Sequence, residues 1–510
     1  MAFLKKHYFV VAVILLTALY FFTRFYNILA LPIFTDEAIY IRWAQIARDD
    51  ATWRFISLTD GKQPLFVWMT MLVLKFFEDP LLAGRFVSVM AGFFSMVGIY
   101  FVTNELFKNK KIGLLASLLY VLLPFSLVYD RLALYDSLVA MFIIWGLYIQ
   151  ILLVRYNRLD LAMILGMVAG LGLLNKSNDG FILILLPFSL LLFNFKQKKL
   201  KFHLLKLVGF ALVTIVIANA MYAVLRLSPF FHIITEKNYL FIYSPSEWLH
   251  HPFTYFFHNF QTLSGWLREY VTVPFLVLVV AAFVIGKKYL KENLLLLMWF
   301  VVPFVALCLF GKLLYPRYIL FMTMSLLPLA AYALYYLCLY SKKVWLKIAV
   351  VVVFLLMFVI NDYLIITDFS KALVPKSDKG QFITSWPAGV GVNETVAFLE
   401  EKAKKQKIFV GTGGTFGLMP YALEIYLHDN PNVVIKGFWP IEDIPPKEVI
   451  DTAKKMPTYF VFYQSCSSCP HAGTAPAPWQ QLSPITLTPI LQIERLEKKT
   501  FYSLYQIKSK

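Results

Sequence analysis

Long stretches of this chain carry almost no charge, and that restricts it to a fold built across a lipid bilayer. Phe9–Phe22, Val87–Val102 and Ile348–Ile366 are long apolar runs almost free of charge, as the interior of a bilayer span must be. Composition agrees: 59% of the 510 residues are apolar and only 15% charged, where soluble domains hold about a quarter charged. The first apolar stretch continues past Phe22 toward Ile33 without a small-residue cleavage site. It reads as a retained first span rather than a removed signal peptide.

The net charge of +18 would suit a nucleic-acid partner, but its placement argues against one. Lysines gather in short clusters between apolar runs: Lys5-Lys6, Lys108/Lys110/Lys111, Lys196–Lys201, Lys287/Lys288/Lys291 and Lys342/Lys343/Lys347. Cytoplasmic loops show this pattern, because Lys and Arg mark the side that is not translocated. Cys308 and Cys338 fall in apolar runs and read as packing residues.

With every Lys cluster held inside, the number of crossings between clusters must be even. The first span then delivers Leu31–Gln63 to the outside, and Pro64–Phe77 is too short for an untilted span. It reads as a juxtamembrane helix on the outer face. Crossings follow at Leu81–Leu106, Ile112–Tyr129, Ser137–Val154, Leu161–Leu174, Phe181–Phe195 and Leu204–Leu225. After an outer loop, Ser228–Tyr270, come Val271–Ile285, Leu294–Phe310, Ile319–Tyr340 and Ile348–Ile366. The expectation is a polytopic α-helical protein of the plasma membrane with about eleven transmembrane helices. Its N-terminus lies inside and its C-terminus outside. Residues 1–366 form the membrane module, and the polar tail 367–510 forms an extracytoplasmic α/β domain. That tail alternates a helix-like stretch, Glu394–Lys405, with strand-like ones, Lys407–Val410 and Thr458–Tyr463.

This topology sets aside the charges on the outer side, which cytoplasmic retention does not explain. They are Asp36, Glu37, Lys62, Asp130, Arg131, Asp136, Lys176, Asp179, Arg226, Lys237, Arg268, Lys312 and Arg317. Charged groups at such depths cost a few kcal/mol each and tend to be paired or functional. Gathered at one face, they suit an anionic lipid headgroup with an acid/base group beside it.

Thr35 is positioned to cap a helix running to about Ala47, with Asp36 and Glu37 in its first turn. The helix dipole there favours ionised carboxylates, which suits a general base but also explains first-turn acids without any chemistry. Lys62, in Gly61-Lys62-Gln63-Pro64-Leu65, can hold a phosphate as a point charge or snorkel at the interface. Asp136 opens a helix after Tyr129-Asp130-Arg131-Leu132-Ala133-Leu134-Tyr135. Lys176 follows a Gly-rich span, and Lys312 with Arg317 forms another outer basic pair.

In this order, Asp36-Glu37, Lys62-Gln63-Pro64-Leu65, Arg85 in Ala83-Gly84-Arg85-Phe86, Asp136, Lys176 and Lys312 with Arg317-Tyr318 resemble the GT-C glycosyltransferases. The branch most similar is that of protein O-mannosyltransferases and aminoarabinose transferases. The resemblance covers about Met1–Phe195 and parts of Leu294–Met324, and it rests on the ordered set, since no single motif is specific. It implies the GT-C fold and an integral-membrane glycosyltransferase. Such an enzyme moves a sugar from a polyprenyl-phosphate donor to a lipid, protein or glycan acceptor on the outer face, with inversion. Asp36 would then be the base, with Glu37 beside it, and Asp136 a second acidic residue of the site. Lys62 would hold the phosphate, with Arg131, Lys176, Lys312, Arg317 and Tyr318 as further substrate-binding candidates. No cofactor is demanded, and a divalent metal requirement stays open. Two departures bear on the sugar and acceptor rather than on the class. Gln63 stands where a proline is often found, and the helix after Glu37 lacks the Arg of aminoarabinose transferases.

Three other signals read as structural. Lys407–Gly417 is a strand entering a Gly-rich turn, without the Lys-Ser/Thr of a P-loop. Cys466-Ser-Ser-Cys469 with His471 offers too few ligands for structural zinc and suits a local disulfide. Asn393-Glu394-Thr395 fits a glycosylation sequon and equally a helix start. Competing classes are a lipid or solute transporter and a catalytically inactive scaffold of the same fold. A transporter would show paired halves and midplane charges; the chain shows no repeat, and its charges sit at outer span ends.

Overall fold

The computed structural model describes residues 2–481 and 485–509, with side chains from His7 onward except at Gln480 and Gln481, so the Lys5-Lys6 side chains lie outside it. Two compact units form: Met1–Asn27, Thr52–Met69 and Arg85–Pro375, and Ile28–Ala51, Thr70–Gly84 and Lys376–Lys510. The polar tail expected from residue 367 thus enters the second unit at Lys376, together with two short segments from the N-terminal part.

Helices dominate the first unit because in lipid only internal backbone hydrogen bonds are available. In chain order the first helices are α1 (Ala2–Phe25), α2 (Thr35–Asp49, in the second unit), α3 (Leu65–Val73) and α4 (Pro80–Phe107). They are followed by α5 (Lys110–Leu122), α6 (Pro124–Asp130), α7 (Asp136–Tyr156) and α8 (Leu159–Asn175). Among the described residues, six helices are long and apolar enough to cross a membrane, or up to nine if each bent pair counts as one span. The expected Leu161–Leu174 and Phe181–Phe195 spans fall outside that range. They correspond to the shorter apolar helices Leu159–Asn175 and Ser177–Leu192, the latter largely 3-10 turns. The Pro64–Phe77 segment is likewise a short apolar helix, Leu65–Phe76.

The bend of 62° between α5 and α6 follows from Pro124, which cannot continue the helix's hydrogen bonding. The carbonyls freed there are met by Arg24, which donates to Val121 O at 2.7 Å and to the Ser126 hydroxyl at 3.1 Å. Arg24 also pairs with Asp130 at 3.4 Å, and Asp130 accepts from Tyr20, Tyr120 and Ser137 at 3.3, 3.1 and 3.0 Å. Gly92 on α4 makes room for this knot, since a Cβ there would fall on the Asp130 carboxylate and the Tyr20 hydroxyl. At the opposite helix ends, Arg155 on α7 bonds the Glu105 carboxylate and carbonyl of α4, at 2.5 and 2.6 Å.

The second unit is built on a five-stranded sheet in the order β2-β1-β3-β5-β4. Its strands are β1 (Ile408–Thr412), β2 (Val433–Gly437), β3 (Thr458–Phe462), β4 (Ile485–Glu494) and β5 (Phe501–Ser509). β1 pairs in parallel with β2 and β3, and β5 runs antiparallel between β3 and β4. Central β1 and β3 are buried at every residue, as helix-covered parallel strands must be, whereas edge strand β4 alternates. Phe409, Phe460, Phe462, Trp479 and Tyr505 fill the core. The Gly-rich stretch is a strand-to-helix turn from β1 into helix Leu418–Leu427, and Cys466–Cys469 is a disulfide. Asn393 lies in the first turn of helix Val392–Ala403.

Helix α2 belongs to this unit through specific bonds. Thr35 N–H and its hydroxyl both donate to Pro387 O, at 3.0 and 2.9 Å, and Gly389 N–H donates to Ile33 O at 2.7 Å. Arg42 pairs with Glu424 at 2.8 Å, and Gln45 donates to Ile425 O at 2.8 Å. Thr35 is therefore not the cap expected from the sequence, because its hydroxyl is engaged by Pro387. The N-cap is Phe34, whose N–H is held by the buried Glu37 carboxylate at 2.9 Å.

Candidate functional site

Within the first unit, several of the charges singled out from the sequence come together where α7 begins and α8 ends. Asp136 opens α7, where the positive end of the helix dipole favours a carboxylate. Lys176 is the C-cap residue of α8, where the negative end favours an ammonium. The two helices form a hairpin, so these ends meet, and Lys176 Nζ bonds Asp136 Oδ1 at 2.7 Å. The Tyr318 ring lies 5.1 Å from the same ammonium, a cation–π distance. Asn175 ties the corner by donating to Tyr135 O at 3.4 Å and to Asp179 at 3.3 Å.

A second group adjoins this one in the same unit. Asp60 ends the 3-10 turn Ile56–Asp60, and Gly61 follows with φ +66°. A Cβ at Gly61 would sit 2.6 Å from Lys237 Cβ and 2.7 Å from Ile233 O, so only glycine fits this turn against helix Ile233–Phe241. The close approach puts Lys237 Nζ 2.6 Å from Asp60 Oδ1, while Lys62 Nζ lies 3.5 Å from Asp60 Oδ2. Gln63 then donates to the Ser177 hydroxyl at 2.8 Å, and Asn238 donates to the same oxygen at 3.2 Å. Lys62-Gln63, Lys176-Ser177 and Lys237-Asn238 are consecutive pairs, so these bonds join three chain segments into one polar cluster. It presents three ammonium groups and two carboxylates.

The remaining candidates make contacts of their own. Arg131 is buried and donates to the carbonyls of Thr23, Arg24, Tyr26 and Asn27, at 2.8, 3.2, 2.7 and 2.8 Å, closing the C-terminal end of α1. Lys312 bonds both oxygens of Glu247, at 2.8 and 3.0 Å, and Tyr239 O at 3.2 Å. The Lys312 ammonium, with the Ser244 N–H, holds the Glu247 carboxyl down at about 2. Arg317 lies with its guanidinium 4.9 Å from the Tyr315 ring, one residue before Tyr318. Asp36 is half-buried in the first turn of α2, in the second unit. No group of three or more His, Cys, Asp or Glu side chains is arranged to hold a metal among the described residues.

Sequence reasoning missed Asp60, Ser177 and Asn238, named Gln63 only as a departure from the family's proline, and named Lys237 only as one charge among many. Asp60 had a signal, since a carboxylate two residues before a candidate phosphate lysine is its natural counter-ion.

Comparison with known proteins bears on both fold and cluster. A family model described as dolichyl-phosphate-mannose-protein mannosyltransferase matches residues 61–222, which include Lys62, Asp136 and Lys176. The fold is similar to that of ArnT from Cupriavidus metallidurans bound to undecaprenyl phosphate. That match has a TM-score of 0.62 and 14% identity over 98% of this chain and 97% of that one. The chain has the GT-C fold. The apo form of the same ArnT matches with a TM-score of 0.58 at 14% identity, over 98% of each chain. An Archaeoglobus fulgidus oligosaccharyltransferase tethered to an acceptor peptide matches with 0.51 at 13% identity, over 91% of this chain and 70% of that one. No curated protein matches the chain. The GT-C fold accounts for a multi-pass module and a C-terminal sheet domain within one chain.

Proposed function

We propose that this GT-C protein is a glycosyltransferase that takes a sugar from a polyprenyl-phosphate donor at the outer face of the membrane. The observation that carries this is the joined cluster of Lys62, Lys237 and Lys176 with Asp60 and Asp136. Lys62 and Lys237 would hold the donor phosphate, as ammonium groups hold phosphate oxygens. Lys176, fixed between Asp136 and Tyr318, would border the sugar. Lipid phosphate is a good leaving group, so the site's task is cationic stabilisation of the charge that develops on it.

In the displacement, an acceptor hydroxyl oxygen forms a bond to the anomeric carbon, and the bond from that carbon to the phosphate oxygen breaks. The electron pair stays on the phosphate, the anomeric centre inverts, and the acceptor proton passes to a carboxylate. Asp36 is assigned as that base on the resemblance alone. Glu37 is left as the anchor of α2, because its carboxylate holds the Phe34 N–H. Arg131 and Lys312 are left out of the phosphate site because their donors are engaged elsewhere.

The distribution of charge in the fold supports the outer assignment. Lys108, Lys110, Lys111, Arg155 and Arg158 lie at or beside the α4–α5 and α7–α8 junctions, and Asp136 and Lys176 at the other ends of α7 and α8. By the positive-inside rule the lysine-rich ends face the cytoplasm. The acceptor is a lipid, protein or glycan, and the second unit, with its sheet domain, would select it.

The test is transfer of radiolabelled sugar from polyprenyl-phosphate donors by purified protein, wild type beside Asp36→Asn and Lys62→Gln. Wild-type transfer that collapses in both variants is expected. Transfer unaffected by Asp36→Asn would move the base to Asp136. Absence of turnover and of donor binding across a broad panel would overturn the enzyme assignment.

A further inference from the structure

Asp60 is in direct contact with both proposed phosphate ligands, and its effect on a bound phosphate is repulsive. Its two oxygens are divided between Lys237, at 2.6 Å, and Lys62, at 3.5 Å. Gly61 packs this turn against helix Ile233–Phe241, which holds Asp60 beside Lys237. The other ionisable group on that helix near Lys237, Glu236, is exposed. Toward α8 the direct neighbours are uncharged, Gln63 and Ser177, and beyond them lie the Lys176–Asp136 pair, neutral in sum, and the buried Asp179 carboxyl held by Asn175.

We propose that Asp60 is a specificity residue that makes the site release its spent carrier. This rests on Lys62 and Lys237 holding the lipid phosphate. The donor is a phosphodiester with one negative charge. The product carrier is a phosphomonoester, which carries close to two above its second pKa of about 6. Two ammonium groups alone would favour the dianion and leave the site blocked by its own product. Repulsion from Asp60 scales with the charge on the ligand, so it weakens the product about twice as much, in free energy, as it weakens the donor. Discrimination here comes from a repulsive group against the wrong ligand rather than from a better contact to the right one.

The experiment compares full-length wild type, Asp60→Asn and Asp60→Glu in detergent. It measures the donor KM and the inhibition constant of polyprenyl monophosphate at pH 7.5 and pH 5. In Asp60→Asn the donor should tighten about threefold and the monophosphate about tenfold at the higher pH. The excess should vanish at pH 5, where the monophosphate carries about one charge. Asp60→Glu should keep the wild-type ratio. Equal tightening of both lipids, or an excess that persists at pH 5, overturns the proposal and assigns Asp60 to turn structure. Should the amide variant not fold, Asp60→Ser serves in its place. If wild type binds neither lipid, the donor assignment itself falls, and the Asp60 inference with it.

Discussion

Two groups of paired charges in the membrane module look alike in sequence and differ in what surrounds them. Arg24 and Asp130 are 0% and 1% exposed, and hydroxyls and carbonyls close over both. Asp60, Lys62 and Lys237 are 20%, 23% and 25% exposed, and Lys176 24%. The first pair has several protein partners and is fully buried. It holds α1, α5 and α6 together where Pro124 interrupts the helix. In the second group the acids are fewer than the lysines, and solvent reaches the ammonium groups. A charge inside a membrane protein is therefore structural when its partners close over it, and a candidate for binding when they leave a side open.

The largest expected effect breaks the closed pair. Asp130→Ala leaves the Arg24 guanidinium without its counter-ion in the protein interior, which costs about 3–5 kcal/mol. Thermal unfolding of purified protein should show a large loss of stability, or the chain should fail to accumulate. Normal stability with lost transfer would instead place this pair in the chemistry. Next comes the open group. Lys62→Gln should lower transfer about 10²- to 10³-fold, as removal of an electrostatic stabiliser of the transition state does. Its unfolding midpoint should stay near wild type, because a solvent-accessible ion pair at 3.5 Å contributes no more than about 1 kcal/mol. A variant that melts early and transfers normally would erase the distinction between the two groups. Arg131→Met should fall between them, losing about 2 kcal/mol of stability through uncapped α1 carbonyls. Its donor affinity should not change, and a change would return Arg131 to the list of ligands.

What the sequence made legible follows the same division. Spans and the α/β tail were readable because periodic burial writes itself locally, in uncharged runs for helices and alternation or apolar strings for strands. Lys62, Asp136, Lys176 and Tyr318 were readable as members of an ordered set, and the structure brings them into one cluster. Lys237 was visible only as an outer charge, because nothing local in a loop sequence tells which turn it will pack against; that is fixed by Gly61 and Ile233 meeting across the fold. Thr35 was read as a cap from residue preference, but a tertiary partner, the Pro387 carbonyl, outcompetes the local bond. The two short apolar helices Leu159–Asn175 and Ser177–Leu192 show the limit of hydropathy, which gives length and composition but not whether a segment crosses.

The smallest expected effect concerns Lys312, which the resemblance offered as a phosphate ligand and the structure ties to Glu247. The carboxyl is depressed to about 2, chiefly by the Lys312 ammonium and then by the Ser244 N–H. A depressed carboxylate contributes its stabilisation fully above the ordinary Glu range, near 4.3, and loses it as pH falls toward the folded value. The contact therefore holds through the neutral and mildly acidic range. It pins the end of helix Ile233–Phe241 and the Tyr243 segment after it to Gly311-Lys312, where Lys312 N–H also donates to Phe241 O at 2.8 Å. Hydrogen exchange of Tyr243 and Lys312 amides, corrected for intrinsic rates, should be flat between pH 7 and pH 5 in wild type and faster in Glu247→Gln. Because both side chains lie at the surface, transfer by Glu247→Gln should change less than about threefold. If Lys312→Gln instead lowers donor affinity as strongly as Lys62→Gln while Glu247→Gln raises it, Lys312 leaves its partner to meet the phosphate. The open group would then extend to the outer loop.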